Sequence, residues 1–255
     1  MTTYAQPPMP AAELQPRLRP RSRTAADQRV GVMRLYYTGA SPENLKRARQ
    51  HAPSHSHGYG WTPAKMTPHD APYFLDNGAF TDHFDADAWV ETVERALIEM
   101  PRSPDFLVLP DVYGAAEATI QRHREWLYDR SMGVGSGQCM RYWVLQPGLP
   151  IPEQFEAIEG CQGVFVGGTT RWKRAHAAEI VRLADEHDLR THVGCPGGAN
   201  GLVWAYRQGF DSADTTTVFQ NQYWHYLDRL EEATAETQPI EPERAAEQAS
   251  IDGWA

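Results

Sequence analysis

From residue 31 onward the chain alternates between short apolar runs and longer stretches with helical spacing. Residues 34–38, 73–76, 106–110, 142–146, 163–167, 191–194 and 212–216 are short runs of largely β-forming residues bounded by Gly, Pro, Asp or Asn, the pattern of buried strands. Ser41-Pro42-Glu43 sets a capping serine before a proline at the first helical position, which predicts a helix to about residue 50. Residues 85–100 carry Trp89, Val93, Ala96 and Leu97 on one helical face. Further helices are predicted near 115–128, 153–158, 173–187, 199–208 and 222–232. The stretch 51–72, with four histidines, four prolines and two glycines, reads as a loop.

Strands alternating with helices at this spacing predict an α/β fold with a parallel sheet. Seven such units favour a TIM-like (β/α)8 barrel over an open doubly wound sheet, with the eighth strand not visible. The run Gly133-Val134-Gly135-Ser136-Gly137 is glycine-rich, but it precedes a strand instead of joining strand to helix, so it fails as a nucleotide fingerprint. The length of 255 residues fits one barrel domain. Residues 1–30, rich in Pro, Ala, Gln and Arg and without periodicity, are expected to be a flexible arm, residues 31–235 the barrel, and residues 236–255 an acidic tail.

Charge narrows the choice of partners. The net charge of −9 opposes non-specific binding to nucleic acid, yet the arm gathers Arg17, Arg19, Arg21, Arg23 and Arg29 against Glu13 and Asp27, while residues 231–255 hold seven acids against Arg244. Lysine occurs only at 46, 65 and 173, a skew that codon usage in a GC-rich genome explains more simply than phosphate recognition by guanidinium forks. No apolar run approaches the 20 or so residues of a membrane span, and no secretory segment opens the chain. Cys139, Cys161 and Cys195 lie far apart, which excludes a disulfide framework and a cysteine-rich zinc knuckle; a cytoplasmic location and small buried cysteines are expected.

In a barrel the chemistry sits at the C-terminal strand ends. Those ends read Asp76-Asn77-Gly78-Ala79-Phe80, Pro110-Asp111-Val112, Gln146-Pro147-Gly148, Gly167-Gly168-Thr169, Gly194-Cys195-Pro196 and Asp211-Ser212-Ala213-Asp214. A single strand-end aspartate is most simply a helix cap or turn former. Three at one mouth are costly unless a ligand or a proton shares the site. Paired carboxylates serve an oxocarbenium-like transition state, one attacking the anomeric carbon while another moves protons. These residues therefore point to a carboxylate-based barrel enzyme, with glycosyl transfer as one reaction, and leave base and sugar open.

Gly209-Phe210-Asp211-Ser212-Ala213-Asp214, preceded by Gly194-Cys195-Pro196 and Leu202, resembles the segment of tRNA-guanine transglycosylases that carries the nucleophilic aspartate, a role that falls on Asp214. Asp76-Asn77-Gly78-Ala79-Phe80 is similar to the family's Asp-Ser-Gly-Gly-Phe/Tyr segment. The resemblance implies that Asp76 is the second catalytic aspartate, with Asn77 beside it, and that Phe80 stacks on the base. It further implies that Asp111 reads the guanine amidine edge, that Gln146 contacts the base, and that the Gly167-Gly168 backbone donates to the base carbonyl. The blocks keep their order across residues 73–217. The family's CxCxxC zinc segment is absent, Gln146-Pro147-Gly148 replaces Gln-Gly-Gly, and the second residue that sandwiches the base is not identifiable. A compact, zinc-free chain looks most like the DpdA-type enzymes of phage and bacterial genomes, which exchange guanine in DNA for a 7-deazaguanine. The resemblance thus implies DNA and a free 7-deazaguanine base, 7-cyano-7-deazaguanine for preference, as partners, with no cofactor and no metal. The same exchange on tRNA, a metal-dependent barrel hydrolase and a catalytically inactive nucleic-acid-binding barrel stand as alternatives.

Other polar clusters carry weaker signals. His51, His55, His57 and His69 are expected to form a solvated or substrate-facing loop in preference to a metal site, with Tyr59 and Trp61 beside them either stacking on a nucleotide or packing the loop. Thr169-Thr170-Arg171-Trp172-Lys173-Arg174 opens a helix at a strand end. Basic residues there oppose the helix dipole, so Arg171, Lys173 and Arg174 are expected to clamp phosphate. Tyr223, Trp224 and Tyr226 read as packing of the last helix, and Asp211 as structural.

Overall fold

Parallel strands cannot be joined by tight turns, so each must be followed by a crossover that returns the chain to the same edge. The computed structural model describes residues 32–62, 70–79, 84–128 and 139–237 and shows that arrangement closed on itself. The strands are β1 (Arg34–Thr38), β2 (Ser56–Trp61), β3 (Tyr73–Leu75), β4 (Phe106–Val108), β5 (Met140–Leu145), β6 (Gly163–Val166), β7 (Arg190–Val193) and β8 (Ser212–Asp214). They pair in chain order, all parallel, and β8 pairs back onto β1 with Tyr36 opposite Asp214. Helix α1 (Pro42–His51) follows β1, α2 (Ala86–Glu99) follows β3 and α3 (Ala116–Tyr128) follows β4. Then α4 (Ile151–Glu156), α5 (Thr170–Glu186) and α6 (Gly198–Gln208) follow β5, β6 and β7, and both α7 (Thr217–Gln220) and α8 (His225–Thr237) follow β8. The fold is the TIM-like (β/α)8 barrel expected from the alternation. Ser41 caps α1 as expected, accepting from the Asn44 N–H, with Pro42 in the first turn. Among the described residues no helix is long and apolar enough to cross a membrane.

The eighth strand is β2, inside the stretch 51–72 that reads as a loop. Its inward positions are Ser56, Gly58 and Gly60, so it lacks the apolar inward residues by which a strand is recognised. The barrel interior explains them. A Cβ on Gly58 would lie 2.5 Å from the Pro72 carbonyl oxygen and 3.0 Å from the Tyr36 ring, and one on Gly60 would lie 2.8 Å from the Phe74 ring. The same fit recurs where Tyr142 occupies the space over Gly163 and Phe165 the space over Gly194. Aromatic rings thus project inward from some strands and glycines on their neighbours make room. The rings stack on one another, Phe106 on Tyr142 with centroids 3.9 Å apart and Phe74 on Phe106 at 4.8 Å. Below them Asp105 accepts from both Arg34 and Tyr36, at 2.9 and 2.8 Å, near the N-terminal ends of the strands.

The histidine cluster also departs from expectation. His55 and His57 are buried, and the described histidines support the scaffold. His57 lies between the Tyr37 hydroxyl at 2.9 Å and the Ala52 carbonyl at 2.8 Å; burial brings its imidazole down to about 4, so it is neutral. His51 meets Asp228 at 2.7 Å and His55 meets Thr234 at 2.8 Å, tying α8 to the segment around α1 and β2. Tyr59 and Trp61 are buried in the outer core, Trp61 with its ring 4.5 Å from Tyr73, so the packing alternative holds for them. Trp224 is likewise buried, between Phe219 and His51, whereas Tyr223 is exposed. The last helix, expected near 222–232, is α8, which starts at His225 after the short α7 and runs to Thr237, two residues past the expected end of the barrel. The arm 1–30, His69, the 133–137 run and the tail beyond 237 lie outside the described residues.

The fit between rings and glycines predicts that Gly58→Ala destabilises the barrel by about 1–3 kcal/mol, since backbone and a buried ring must both move. That corresponds to a drop of several degrees in Tm for a domain of this size, read by thermal denaturation.

Candidate active site

Alternation along a strand sends residues i and i+2 to the same face, so each inward residue near the end of a strand has an inward partner two positions later, at the C-terminal mouth. Phe74 is succeeded by Asp76, Val144 by Gln146, Phe165 by Gly167, His192 by Gly194 and Ser212 by Asp214. The structure accordingly gathers the strand-end residues picked out from the sequence above the aromatic interior.

Asp214 is buried and held by three donors. Its Oδ1 accepts from His192 Nε2 at 3.0 Å and from the Cys195 backbone N–H at 3.1 Å, while Oδ2 meets, among the described residues, the Cys195 thiol at 3.3 Å. Burial alone would raise its pKa, but the His192 and Cys195 hydrogen bonds outweigh burial and hold it below the usual carboxylate range. His192 is fully buried against Phe165, ring centroids 4.8 Å apart, and burial keeps it neutral. Its Nε2 donates to the carboxylate, so its Nδ1 accepts from Ser212 Oγ at 2.9 Å.

Asp76 is in the opposite state. The one described hydrogen bond of its carboxyl is from the Gly78 N–H to Oδ1, at 3.0 Å. Burial dominates that bond, the charges of Asp214 and Asp111 add to the effect, and the carboxyl is pushed up to about 7. The charges of Asp214 and Asp111 both act on Asp76, so the three carboxyls lie near one another at the mouth.

Asp111 is the braced member. Asn77 Nδ2 donates to its Oδ1 at 2.9 Å and Gln146 Nε2 to its Oδ2 at 2.7 Å. Burial raises its pKa, with both amides pulling against that rise. Asn77 also donates to the Leu109 carbonyl and accepts from the Ala79 N–H, which commits both of its amide hydrogens. It is therefore a brace for Asp111, a correction to its expected contact with substrate. Gln146 Oε1 accepts from the Gly114 N–H, and Gln154 clamps the Gln146 backbone through both its N–H and its carbonyl. One Gln146 amide hydrogen and the outer lone pairs of Asp111 remain for a ligand. Gly167 lacks a side chain because a Cβ would stand 2.5 Å from Gln146 Nε2. Its N–H is spent on the Leu145 carbonyl, so of the Gly167-Gly168 pair only Gly168, turned to φ +74°, keeps a backbone donor for a ligand. Phe80 lies outside the described residues.

The expected phosphate clamp is divided. Arg171 and Arg174 are exposed, Arg174 over the Trp204 ring at 5.7 Å, but Lys173 is only 5% exposed, with its ammonium on the carbonyls of Gly194 and Cys195. Its long stem reaches under the loop after β7, which removes it from any surface clamp. Asp211 accepts from both the N–H and the hydroxyl of Thr191 at the start of β7, a structural role as expected. The cysteines are not the buried residues expected, since Cys139 and Cys161 are half-buried and Cys195 is exposed. His192, Cys195 and Gln154 were missed as site residues. The signal for His192 was its place two residues before Gly194, on the inward register. Among the described residues no group of three or more His, Cys, Asp or Glu could hold a metal ion. A cavity of about 240 Å³ opens between the ends of β1 and β8, lined by Thr38, Gly39, Asn44, Thr216, Phe219 and Gln220.

The raised Asp76 carboxyl has a consequence for stability. An aspartate in the unfolded chain titrates near 3.8, and native Asp76 near 7. The stability that the protonated form contributes is complete below the unfolded value and is lost as the pH rises through 7. Asp76→Asn keeps the acceptor for Gly78 and carries no charge. It is expected to raise stability at pH 8 by up to about 4 kcal/mol, with the gain shrinking toward pH 4, as read by thermal denaturation across that range.

No family model matches the chain, and no curated protein is significantly similar to it.

Proposed function

We propose that the protein is a base-exchange transglycosylase that replaces guanine in DNA with a 7-deazaguanine through a covalent aspartyl–glycosyl intermediate. The observation that carries this reading is the division of labour between two carboxylates at one mouth: Asp214 held ionised and Asp76 poised to hold or release its proton near neutral pH. Such a split assigns nucleophile and acid. The choice of guanine, of the deazapurine and of DNA rests on the resemblance to the transglycosylases.

Asp214 Oδ2, the oxygen with the weaker partner, attacks C1′ of the target nucleotide. The C1′–N9 bond breaks with its electron pair moving to the purine, and Asp76 gives its proton to that purine, which leaves as neutral guanine. The incoming 7-deazaguanine loses its N9 proton to the Asp76 carboxylate and bonds to C1′. The C1′–Oδ2 bond breaks as that bond forms, returning its electron pair to Asp214 and restoring the starting charges. Asp111, braced by Asn77 and Gln146, faces the two N–H donors of the amidine edge, and the Gly168 N–H serves the base carbonyl. The target base must leave the helical stack to reach this depth.

Exchange is measured by incorporation of labelled guanine or 7-deazaguanine into DNA and, in parallel, into tRNA. Asp214→Asn is expected to lower the rate on the order of 10^4-fold and to abolish the covalent adduct with the fold intact. Retained exchange in that variant overturns the reading, and label in tRNA alone replaces DNA as the substrate. Gly167→Ala forces Gln146 off Asp111 and is expected to raise KM for the free base about 10–100-fold, the worth of one hydrogen bond to a charged group.

A further inference from the structure

Lys173 has no ion pair of its own among the described residues, although its stem is buried in the first turn of α5. Its ammonium donates to the Gly194 carbonyl and, at 3.3 Å, to that of Cys195. The Gly194 carbonyl and the Cys195 N–H are the two ends of one peptide unit, and that N–H is the one donating to Asp214 Oδ1 at 3.1 Å. Cys195 is held at φ +40°, a region unfavourable for a residue with a side chain, and the bonds at both ends of the preceding peptide act against that cost. An ammonium on a carbonyl draws electron density through the amide and strengthens its N–H as a donor.

The position has no evident value to the helix, since a cation in the first turn opposes the dipole. It is also one of only three lysines in the chain. The titratable groups facing Asp214 are His192 from β7, Cys195 from the loop after it, Asp76 beyond β3, and Lys173 from α5. His192 is neutral and the Cys195 thiol is kept protonated by the adjoining carboxylate, so Lys173, whose pKa burial lowers against the pull of the Asp214 charge, is the cation of this set.

We propose that Lys173 is a positioning residue that acts through the Gly194–Cys195 peptide to keep Asp214 ionised and oriented, with Oδ2 the oxygen left to react. The catalytic consequence rests on the proposed transglycosylase reading; the link between Lys173 and Asp214 does not.

The test uses the full chain, with the aspartate carboxyls followed by carbon NMR over a pH titration. Lys173→Met is expected to raise the Asp214 titration by at least one pH unit and to move the acid limb of the exchange rate upward with it. Lys173→Arg, which keeps the charge, is expected to recover much of both. An Asp214 titration identical in wild type and Lys173→Met overturns the proposal. If the methionine variant does not fold, the reciprocal measurement decides: Asp214→Asn should lower the titration of the Lys173 ammonium, followed by nitrogen NMR against the other two lysines, and an unchanged titration is equally fatal. Absence of exchange in the wild-type protein counts against the transglycosylase reading, while the titrations still report on Lys173.

Discussion

Three carboxylates at one poorly hydrated mouth cannot all carry charge on the same terms, and the organisation of this site follows from how they are made unequal. Asp214 has a neutral imidazole and a backbone N–H on a single oxygen, Asp111 has one side-chain amide on each oxygen, and Asp76 has little more than the Gly78 N–H. The result is an ionised group, a braced group and a group that titrates near neutrality within one site. Each partner is itself fixed by a residue further out, Ser212 behind His192, Gln154 behind Gln146 and Lys173 behind the Cys195 amide.

That precision depends on a stiff floor. The interior beneath the aspartates is a stack of rings with His192 among them, 5.0 Å from Phe74 and 5.2 Å from Phe106 by ring centroids. Neighbouring glycines let those rings fill the barrel without forcing the strands apart. A histidine in such surroundings is costly to protonate, so it behaves as a fixed dipole toward Asp214 and adds no mobile proton to the site.

The alternation of apolar runs was enough to read the barrel and seven of its strands, because outward residues such as Leu35, Tyr37, Trp143 and Val164 are as apolar as those of any buried strand. It failed at β2, where the inward face is serine and glycine and the outer face includes His57, a composition that locally resembles a loop. Strand-end position alone points Asp76, Gln146, Gly167 and Asp214 to one mouth, and the period-2 register explains why they share it. Neither shows where a long side chain turns. Lys173 sits among arginines at a helix start and reads as surface charge, yet its ammonium lies under the next loop. Asn77 likewise reads as a ligand contact until both its amide hydrogens are found spent on the protein. Such assignments depend on tertiary contacts between residues far apart in the chain, as Asn77 and Asp111 are, and local pattern carries no record of them.

Closure of the barrel also shapes how the chain is made. β1 finds one neighbour in β2, but its other edge pairs with Ser212, Ala213 and Asp214. At about 5–20 residues per second, the first strand emerges from the ribosome roughly 10–40 s before the strand that covers it. For that interval β1 presents an open, apolar edge of the kind that pairs with strands of other chains. The ties from α8 back to His51, Ser54 and His55 form later still. The edge of β1 is thus closed only once β8 has been made, and slower translation lengthens its exposure in direct proportion.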